Sequence, residues 1–358
     1  MRPALKAGML PVWRDRDTLQ IGVDPRRAVA LARIGPAAAV ISLLDGSRDR
    51  DEVIATAREY GVPAEASARV LQLLAVAGVL DDFPATLHLS LPVELRARLA
   101  PELATASLAY QDGDGGARTL ARRRDAFVRV HGAGRIGTGL ATILAASGVG
   151  RVVCIDPAPA GSADLAPGGL IRADVGSPRA EAAIRAIRRV APEVKTRDPG
   201  LAPDLAVLTT GFSPELPLAL VREGISYLAV RAAEAIGVVG PLVRPGRSAC
   251  LHCVGLRKAE GDVAWPKILA QSVCTDPATV ACDVALAAMT ATLGAAQALA
   301  FIDGAVPPAS IDGTLEVVLP GWQWRRRTWL PHPACPCTAF TRIREDSPVH
   351  GSYPHAGE

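Results

Sequence analysis

A glycine-rich turn is the feature that most constrains the fold of this chain: Gly132-Ala133-Gly134-Arg135-Ile136-Gly137 lies between a predicted strand and a predicted helix. The strand is predicted over Ala126–Val130 and the helix over Arg135–Ser147, and the next strand, Arg151–Ile155, runs directly into Asp156. Glycines at such a turn let the backbone approach a phosphate at the helix N-terminus, and the acid can accept a ribose hydroxyl. The pattern predicts a Rossmann-type α/β domain, in which the candidate nucleotide-binding residues are Gly132, Gly134, Gly137 and Asp156.

The alternation of strands and helices continues downstream. A helix is predicted over Arg179–Val190 and a strand over Leu205–Thr209, which is typical of a parallel α/β sheet. Thr314–Leu319 and Trp322–Leu330 are predicted to form a hairpin. Because the same glycines also serve helix–sheet packing in domains whose nucleotide site has decayed, the motif predicts the fold and leaves nucleotide binding open.

Residues 1–84 show a different order, in which three short strands precede three helices. Asp49 and Glu52 form a capping-box pattern at the start of the second helix, and Gly61 and Gly78 end the second and third helices. These elements suffice for a small domain with its own core, and we expect it to be winged-helix-like. The predicted strands are Leu10–Arg14, Leu19–Val23 and Ala28–Arg33, and the predicted helices are Ala37–Leu44, Glu52–Tyr60 and Ala64–Ala77.

The composition changes after this domain. Residues 85–124 mix proline, glycine and charged residues, with Gln111–Gly116 as the most linker-like stretch, so we expect a linker with connecting helices there. The Rossmann-type domain is expected over residues 125–342, and residues 343–358 are expected to form a flexible tail.

Two short-spaced cysteine pairs lie far apart in the sequence, Cys250-Leu251-His252-Cys253 and Cys335-Pro336-Cys337. They supply four thiolates, the donor set of a tetrahedral structural zinc site with no open position for catalysis. The second pair is closer than usual, so His252 or His332 as a substitute ligand, and two unrelated pairs of buried thiols, stay as alternatives. The remaining cysteines, expected to be structural thiols, are Cys154, Cys274 and Cys282.

Composition and charge argue against several classes of partner. The formal net charge is +3 with acidic and basic residues interspersed, which gives no support to a surface for nucleic acid or anionic lipid. Arginines 325–327 lie among tryptophans in the predicted hairpin, where alternation separates the two types onto different faces. The N-terminus lacks the apolar core of a signal peptide, and the uncharged stretch Val284–Ile302 is rich in alanine and only weakly hydrophobic. We therefore expect a cytoplasmic protein with a buried helix at Val284–Ile302, and neither nucleic acid nor membrane as a partner.

Taken together, these motifs resemble the ThiF-like relatives of ubiquitin-activating enzymes, in which a glycine-rich turn, a ribose-binding acid and a paired-cysteine zinc site occur in this order. Trp265-Pro266-Lys267, the strand Thr314–Leu319 and His332-Pro333-Ala334-Cys335-Pro336-Cys337 are similar, more specifically, to the ThiF-like subunit of azoline-forming cyclodehydratases. The front domain resembles a PqqD-like peptide-recognition element. The resemblance covers nearly the whole chain.

The resemblance implies a function in peptide modification. Such subunits bind the leader region of a ribosomally made precursor peptide, and a separate YcaO-type partner uses ATP to cyclise Cys, Ser or Thr side chains onto the backbone. A homodimer is implied by analogy. We expect the leader to add as a strand to the open edge of Ala28–Arg33, with the helix Ala64–Ala77 as the other wall. The candidate peptide-binding residues are Ala28, Ala30, Leu31, Arg33, Arg69, Gln72, Leu73 and Val76.

The chain departs from the adenylating members of the family at three places. Pro157–Gly169 contains neither the Asn nor the Arg that those members carry after the ribose acid. Arg179 corresponds to their phosphate-contacting lysine, and their metal-binding Asp falls near Thr209, Thr210 and Gly211. Without these groups little would neutralise the charge on a transferring adenylyl group, so we expect weak or no ATP binding and no adenylation.

Two other functions stay open from the residues. One is an active ThiF-like adenylyltransferase. The other is a redox-sensing regulator that pairs a winged helix with a Rossmann domain, although Ala64–Ala77 carries one basic residue, Arg69, where a DNA-recognition helix would be basic.

Overall fold

The computed structural model describes residues 1–82, 91–209, 212–274 and 280–338. The chain divides into two units, residues 1–122 and 123–358, each with its own apolar core. The predicted tail over residues 343–358 lies outside the described residues. In the stretch predicted as a linker, two helices are found, α4 (Val93–Tyr110) and α5 (Ala117–Asp125).

The first unit contains the three strands and three helices that the sequence predicts for residues 1–84. The strands β2, β3 and β4 form an antiparallel sheet in the order β2-β3-β4, so that β4 lies at an edge. A second pair, β1 with β5, was not predicted, because its two strands lie far apart in the sequence and no local turn signal marks their pairing. The elements are β1 (Pro3–Leu5), β2 (Pro11–Trp13), β3 (Leu19–Ile21), β4 (Val29–Leu31), a 3₁₀ turn (Gly35–Ala38), α1 (Ala39–Ser42), α2 (Arg50–Glu59), α3 (Ala64–Val76) and β5 (Leu80–Asp82).

Local signals explain where these helices begin. The Asp49 carboxylate accepts hydrogen bonds from the backbone N–H groups of Asp51 and Glu52, and the Glu52 carboxylate accepts one from the Asp49 N–H, which is the predicted capping box. The apolar sides of the helices and of the sheet then meet in one core, whose fully buried members are Ile21, Val40, Val53, Ala57 and Leu74.

A buried ion pair joins the β1–β5 pair to α4 in the same unit. The Lys6 ammonium donates to the Asp81 carboxylate over 2.7 Å and to the Ser107 carbonyl over 2.8 Å, and the Ser107 hydroxyl also contacts Asp81. Lys6 is 2% exposed. A buried charge is tolerated only when it is paired and hydrogen-bonded. This network therefore fixes β1, β5 and α4 relative to one another.

The second unit is built on a seven-stranded sheet with the order β12-β11-β10-β9-β8-β6-β7. The strands β7, β6, β8 and β9 run parallel, as the predicted alternation requires, and β9 to β12 are antiparallel. The strands are β6 (Phe127–His131), β7 (Arg151–Ile155), β8 (Leu205–Leu208), β9 (Tyr227–Ala233), β10 (Ile236–Val243), β11 (Gly313–Val318) and β12 (Gln323–Thr328).

Two of the helices in this unit cover one face of the sheet. In α6 and α11, small residues allow a close approach: a side chain at Gly294 would lie 2.8 Å from Leu140 and 3.0 Å from Val230. This packing creates the main core of the unit. The helices are α6 (Gly137–Ala146), α7 (Arg179–Val190), α8 (Leu216–Glu223), α9 (Leu251–Gly261), α10 (Trp265–Cys274) and α11 (Val284–Asp303).

The helix α11 is, among the described residues, the one helix long and apolar enough to cross a membrane. Leu286, Ala287 and Ala291 on this helix are nevertheless buried in the main core. At its C-terminal end Asp303 forms a buried, two-bond ion pair with Arg123. These contacts are those of a core helix, as the sequence predicts.

Candidate functional site

The glycine-rich turn lies between β6 and α6, where the sequence places it. Gly132 has a positive φ of +94°, and its N–H donates to the Ile155 carbonyl over 2.9 Å. A side chain at Gly137 would lie 1.9 Å from the Gly132 carbonyl oxygen, so only glycine fits there. The turn therefore holds the N-terminus of α6 against the ends of two parallel strands, the geometry that binds phosphate in Rossmann-type domains.

Three charged side chains form a network beside this turn. Arg179 donates from Nε to Asp164 over 2.8 Å, and its guanidinium lies 3.5 Å from Asp156. The Asp156 carboxylate in turn accepts the Ala133 N–H over 2.8 Å. The structure thus brings the predicted residues Asp156 and Arg179 together with the glycines, and it adds Asp164, which the sequence analysis missed.

Asp164 decides how well a phosphate fits. Its Oδ1 lies 3.0 Å from the position that a Cβ atom on Gly134 would take, so a carboxylate lies against the turn on which a phosphate would rest. The two carboxylates exceed the single charge of Arg179, and a phosphate would meet repulsion there. Two carboxylates beside the turn therefore oppose a nucleotide phosphate, although Arg135 of the turn itself is also a cation. Asp164 is the only charged residue in the segment 157–169, which was the one signal that could have identified it.

The end of β8 carries no carboxylate in its described part. The Thr209 hydroxyl donates to the carbonyls of His131 and Gly132, so this side chain supports the turn from below. Thr210 and Gly211, also predicted near the position of the family's metal-binding Asp, lie outside the described residues.

The four predicted cysteine ligands meet at the N-terminus of α9. Cys250 and Cys253 lie on its first turn, and Cys335 and Cys337 approach from a segment about 80 residues downstream. The Sγ–Sγ distances are 3.7 Å for Cys250 to Cys253, 3.6 Å for Cys250 to Cys335 and 3.4 Å for Cys253 to Cys337. Zinc–sulfur bonds of about 2.3 Å in a tetrahedron place the sulfurs about 3.8 Å apart, so the cluster is suited to a metal ion.

The surroundings of the cluster favour a thiolate at Cys253, whereas neighbouring thiols and burial raise the pKa values of Cys250, Cys335 and Cys337. All four cysteines are buried, and the His332 N–H donates to the Cys253 sulfur. Hydrogen bonds from the Cys250 and Cys337 thiols hold the pKa of Cys253 well below its usual range. The His332 ring is engaged elsewhere, with Nε2 next to Glu260 and Nδ1 accepting the Ala334 N–H, and His252 is exposed. The sulfur atoms, rather than a histidine, therefore form the candidate metal site.

A cavity of about 860 Å³ lies on the sheet face opposite α11, a volume typical of ligand sites. Alternate residues of β9 line it, Tyr227, Ala229 and Arg231, while α9 and α10 cover it. Its lining includes the aromatic rings of Phe212, Trp265 and Trp329. The sequence analysis missed this cavity, because its walls come from many separate segments of the chain.

The candidate peptide-binding residues are mostly exposed in the first unit. On the edge strand β4 Ala30 is exposed, whereas the Leu31 side chain is buried, so that only the backbone of Leu31 is available. Ala28 is half-buried, and Arg33 is exposed with a positive φ of +56°. On α3 the four predicted residues share one exposed stripe: Arg69, Gln72, Leu73 and Val76.

Comparison with known proteins identifies the glycine-rich region. The model of the ThiF family matches residues 109–199, a stretch that contains the turn, Asp156, Asp164 and Arg179. No curated protein matches the chain by sequence.

Solved structures with a similar fold cover nearly the whole chain. Escherichia coli MccB with MccA-N7isoASN has a TM-score of 0.68 at 18% identity, over 94% of this chain and 99% of that one. E. coli MccB with ATP has a TM-score of 0.67 at 18% identity, over 94% and 99%. The microcin C7 biosynthetic enzyme MccB in complex with N-formylated MccA has a TM-score of 0.67 at 18% identity, over 94% and 100%. Similarity at this identity shows a shared fold.

Proposed function

We propose, from the premise that the chain carries a ThiF family domain, that this protein is a cytoplasmic scaffold subunit. It binds the leader of a ribosomally made precursor peptide and presents the peptide to an ATP-dependent YcaO-type partner that forms azoline rings. In this proposal the first unit is a PqqD-like, winged-helix-like recognition domain. Neither nucleic acid nor a membrane takes part.

The observation that carries the proposal is the exposed edge of β4 together with the stripe on α3. An edge strand presents unpaired N–H and C=O groups to which an extended peptide can add. Leu73 and Val76 are 48% and 82% exposed, and apolar side chains held in solvent on one face of a helix favour a binding surface. Main-chain pairing would supply affinity, and the α3 side chains would supply selectivity.

The network at the glycine-rich turn supports a non-catalytic role for the second unit. Asp164 neutralises Arg179 and lies against Gly134, which opposes the phosphates of ATP. In the proposal, zinc bound by Cys250, Cys253, Cys335 and Cys337 stabilises the fold, and two copies form a homodimer. ATP is then used by the partner rather than by this chain.

The alternative is an active ThiF-like adenylyltransferase, which is favoured by the likeness to MccB, since MccB has been seen with ATP. Reconstitution distinguishes the two. A candidate precursor peptide, ATP and a YcaO-type protein are incubated with and without the full chain, and loss of water from the peptide is followed by mass spectrometry. Water loss that depends on both proteins supports the scaffold. Pyrophosphate exchange by this chain alone, abolished by Asp156→Ala, would establish the adenylyltransferase instead.

A further inference from the structure

The cavity in the second unit contains a row of charged side chains on the antiparallel half of the sheet. Strand register places Arg231 opposite Val238, Val238 opposite Glu316, and Glu316 opposite Arg325. Directly opposed residues of antiparallel strands share a face, so this row crosses the sheet beneath α9 and α10. The cavity is thus charged at its floor and apolar along its walls.

The buried acid in this row is already paired. Glu316 is 8% exposed, and its Oε2 accepts hydrogen bonds from Nε of Arg325 and is 3.2 Å from Nε of Arg327. Its Oε1 accepts from the Thr314 hydroxyl. A second acid in the lining, Glu215, contacts the Ser213 hydroxyl at the start of α8. Two arginines therefore offset the charge of Glu316, whereas Glu215 accepts a hydrogen bond from a neutral hydroxyl.

Three cationic side chains line the cavity, Arg222, Arg231 and Lys258. The Lys258 ammonium lies over the Trp265 ring, 4.4 Å from its centroid, and 6.0 Å from the centroid of Trp329. Burial, and then the nearby charge of Arg231, lower the pKa of Lys258. The Trp265 indole N–H is buried and has no acceptor among the described residues. Donors held between aromatic rings, with their charge only partly offset, favour an anionic ligand that also has apolar parts.

We propose that this cavity binds a peptide segment in which a carboxylate lies next to an apolar side chain, with the carboxylate held by Arg231 and Lys258 and the apolar side chain held by Trp265 and Trp329. The proposal rests on the peptide-binding function proposed above. It adds a second peptide site that selects an acidic segment, separate from the edge of β4. The carboxylate can come from an acidic side chain or from a peptide C-terminus, since both present the same two oxygens.

Three synthetic hexapeptides with the same apolar residues distinguish these sources. The first has an internal glutamate and an amidated C-terminus, the second has glutamine and a free C-terminal carboxylate, and the third has glutamine and an amidated C-terminus. Calorimetry with the full chain is expected to show that at least one of the two acidic peptides binds about tenfold more tightly than the neutral one, the effect of one charge-assisted hydrogen bond. The acidic peptide that binds identifies the source.

Variants test the assignment of the cations. Lys258→Met and Arg231→Gln are each expected to remove most of the preference for the acidic peptide. Lys267→Met, which removes an exposed lysine of helix α10 outside the cavity lining, is expected to keep it. Circular dichroism and thermal unfolding verify that each variant is folded.

Several outcomes would overturn the proposal. Equal binding of the three peptides, or an unchanged preference in folded Lys258→Met and Arg231→Gln, rules out the carboxylate site. Displacement of the acidic peptide by inorganic phosphate at equal concentration would show a phosphate site instead. Leader binding is measured on the same wild-type sample and on β4 variants. Because the leader is expected to bind the first unit, leader binding without acidic-peptide binding would contradict the cavity site alone, and not the proposed function.

Discussion

Arg179 donates from Nε to the Asp164 carboxylate over 2.8 Å, beside a turn whose glycines are typical of phosphate binding. An internal acid thus pairs with the cation that would otherwise meet a phosphate. The consequence can be measured, because a single neutral substitution removes the acid without removing the cation.

We expect the wild-type chain to bind ATP weakly or not at all, and Asp164→Asn to bind it about tenfold more tightly, because the substitution removes a repelling charge and frees Arg179. Isothermal titration calorimetry measures both affinities. Asp174→Asn is the matched control, since Asp174 pairs with Arg185 on the same helix α7 but away from the turn. Tight ATP binding by the wild type would contradict this expectation, because it would show that the pair of Arg179 and Asp164 does not prevent nucleotide binding.

Metal analysis of the purified protein is expected to give one zinc ion per chain. Zinc binding to four thiolates contributes on the order of 10 kcal/mol to folding, so a strong chelator should lower the melting temperature sharply. Cys335→Ala should lose the metal, whereas Cys282→Ala, a half-buried thiol outside the cluster, should keep it. Native protein without zinc would contradict the assignment of this site.

Proline scanning of β4 tests strand addition. Only one of the adjacent N–H groups of Ala30 and Leu31 points away from β3, and proline deletes that donor. We therefore expect either Ala30→Pro or Leu31→Pro to lose leader binding in fluorescence anisotropy. Circular dichroism should show both variants folded. Unchanged affinity in both would remove β4 from the peptide site.

Breaking the buried pair of the first unit should be costly. Lys6→Met leaves the Asp81 carboxylate without its partner, and removal of one member of a buried ion pair costs about 3–5 kcal/mol. Urea unfolding followed by circular dichroism measures the free energy. Asp24→Asn, which removes an exposed pair with Arg26, should change the stability of the unit by less than about 1 kcal/mol. A similarly small decrease in the free energy of unfolding of Lys6→Met would contradict this expectation, because it would show that water solvates the Asp81 carboxylate in the variant.

The stability of the second unit should fall in mild acid. Burial, and then the charge of Arg129, lower the pKa of His131 below its ordinary value. As the pH falls, His131 is protonated in the unfolded chain before it is protonated in the folded protein. The folded state therefore keeps its full stability above a pH of about 6.5, the ordinary pKa of histidine, and loses stability below it. His131→Gln should reduce this loss in urea unfolding at about pH 5 relative to about pH 7.5. The exposed His252→Gln is the control and should behave like the wild type.

Much of the fold follows from local sequence patterns. The strand Arg151–Ile155 and the helix Arg179–Val190 were predicted with the bounds that the structure has, because uninterrupted apolar runs and 3.6-residue periodicity are local properties. The capping box at Asp49 and the obligatory glycine at Gly137 are likewise readable from a few neighbouring residues. The cysteine cluster was also predicted, since short spacing within each pair indicates a shared metal.

Only the tertiary structure decided what these elements can bind. Asp164 is one acid in a segment of small residues, and it opposes phosphate because the chain folds it against Gly134, thirty residues away in sequence. The cavity that holds Lys258 depends likewise on strand register, which places Arg231 and Glu316 on one face. Electrostatic and packing interactions depend on distance in space, and the sequence determines which groups are present but not which of them meet. The sequence by itself therefore determined the α/β architecture and the set of four thiols that could bind a metal, and the tertiary contacts decided the charge at the turn and the chemistry of the cavity.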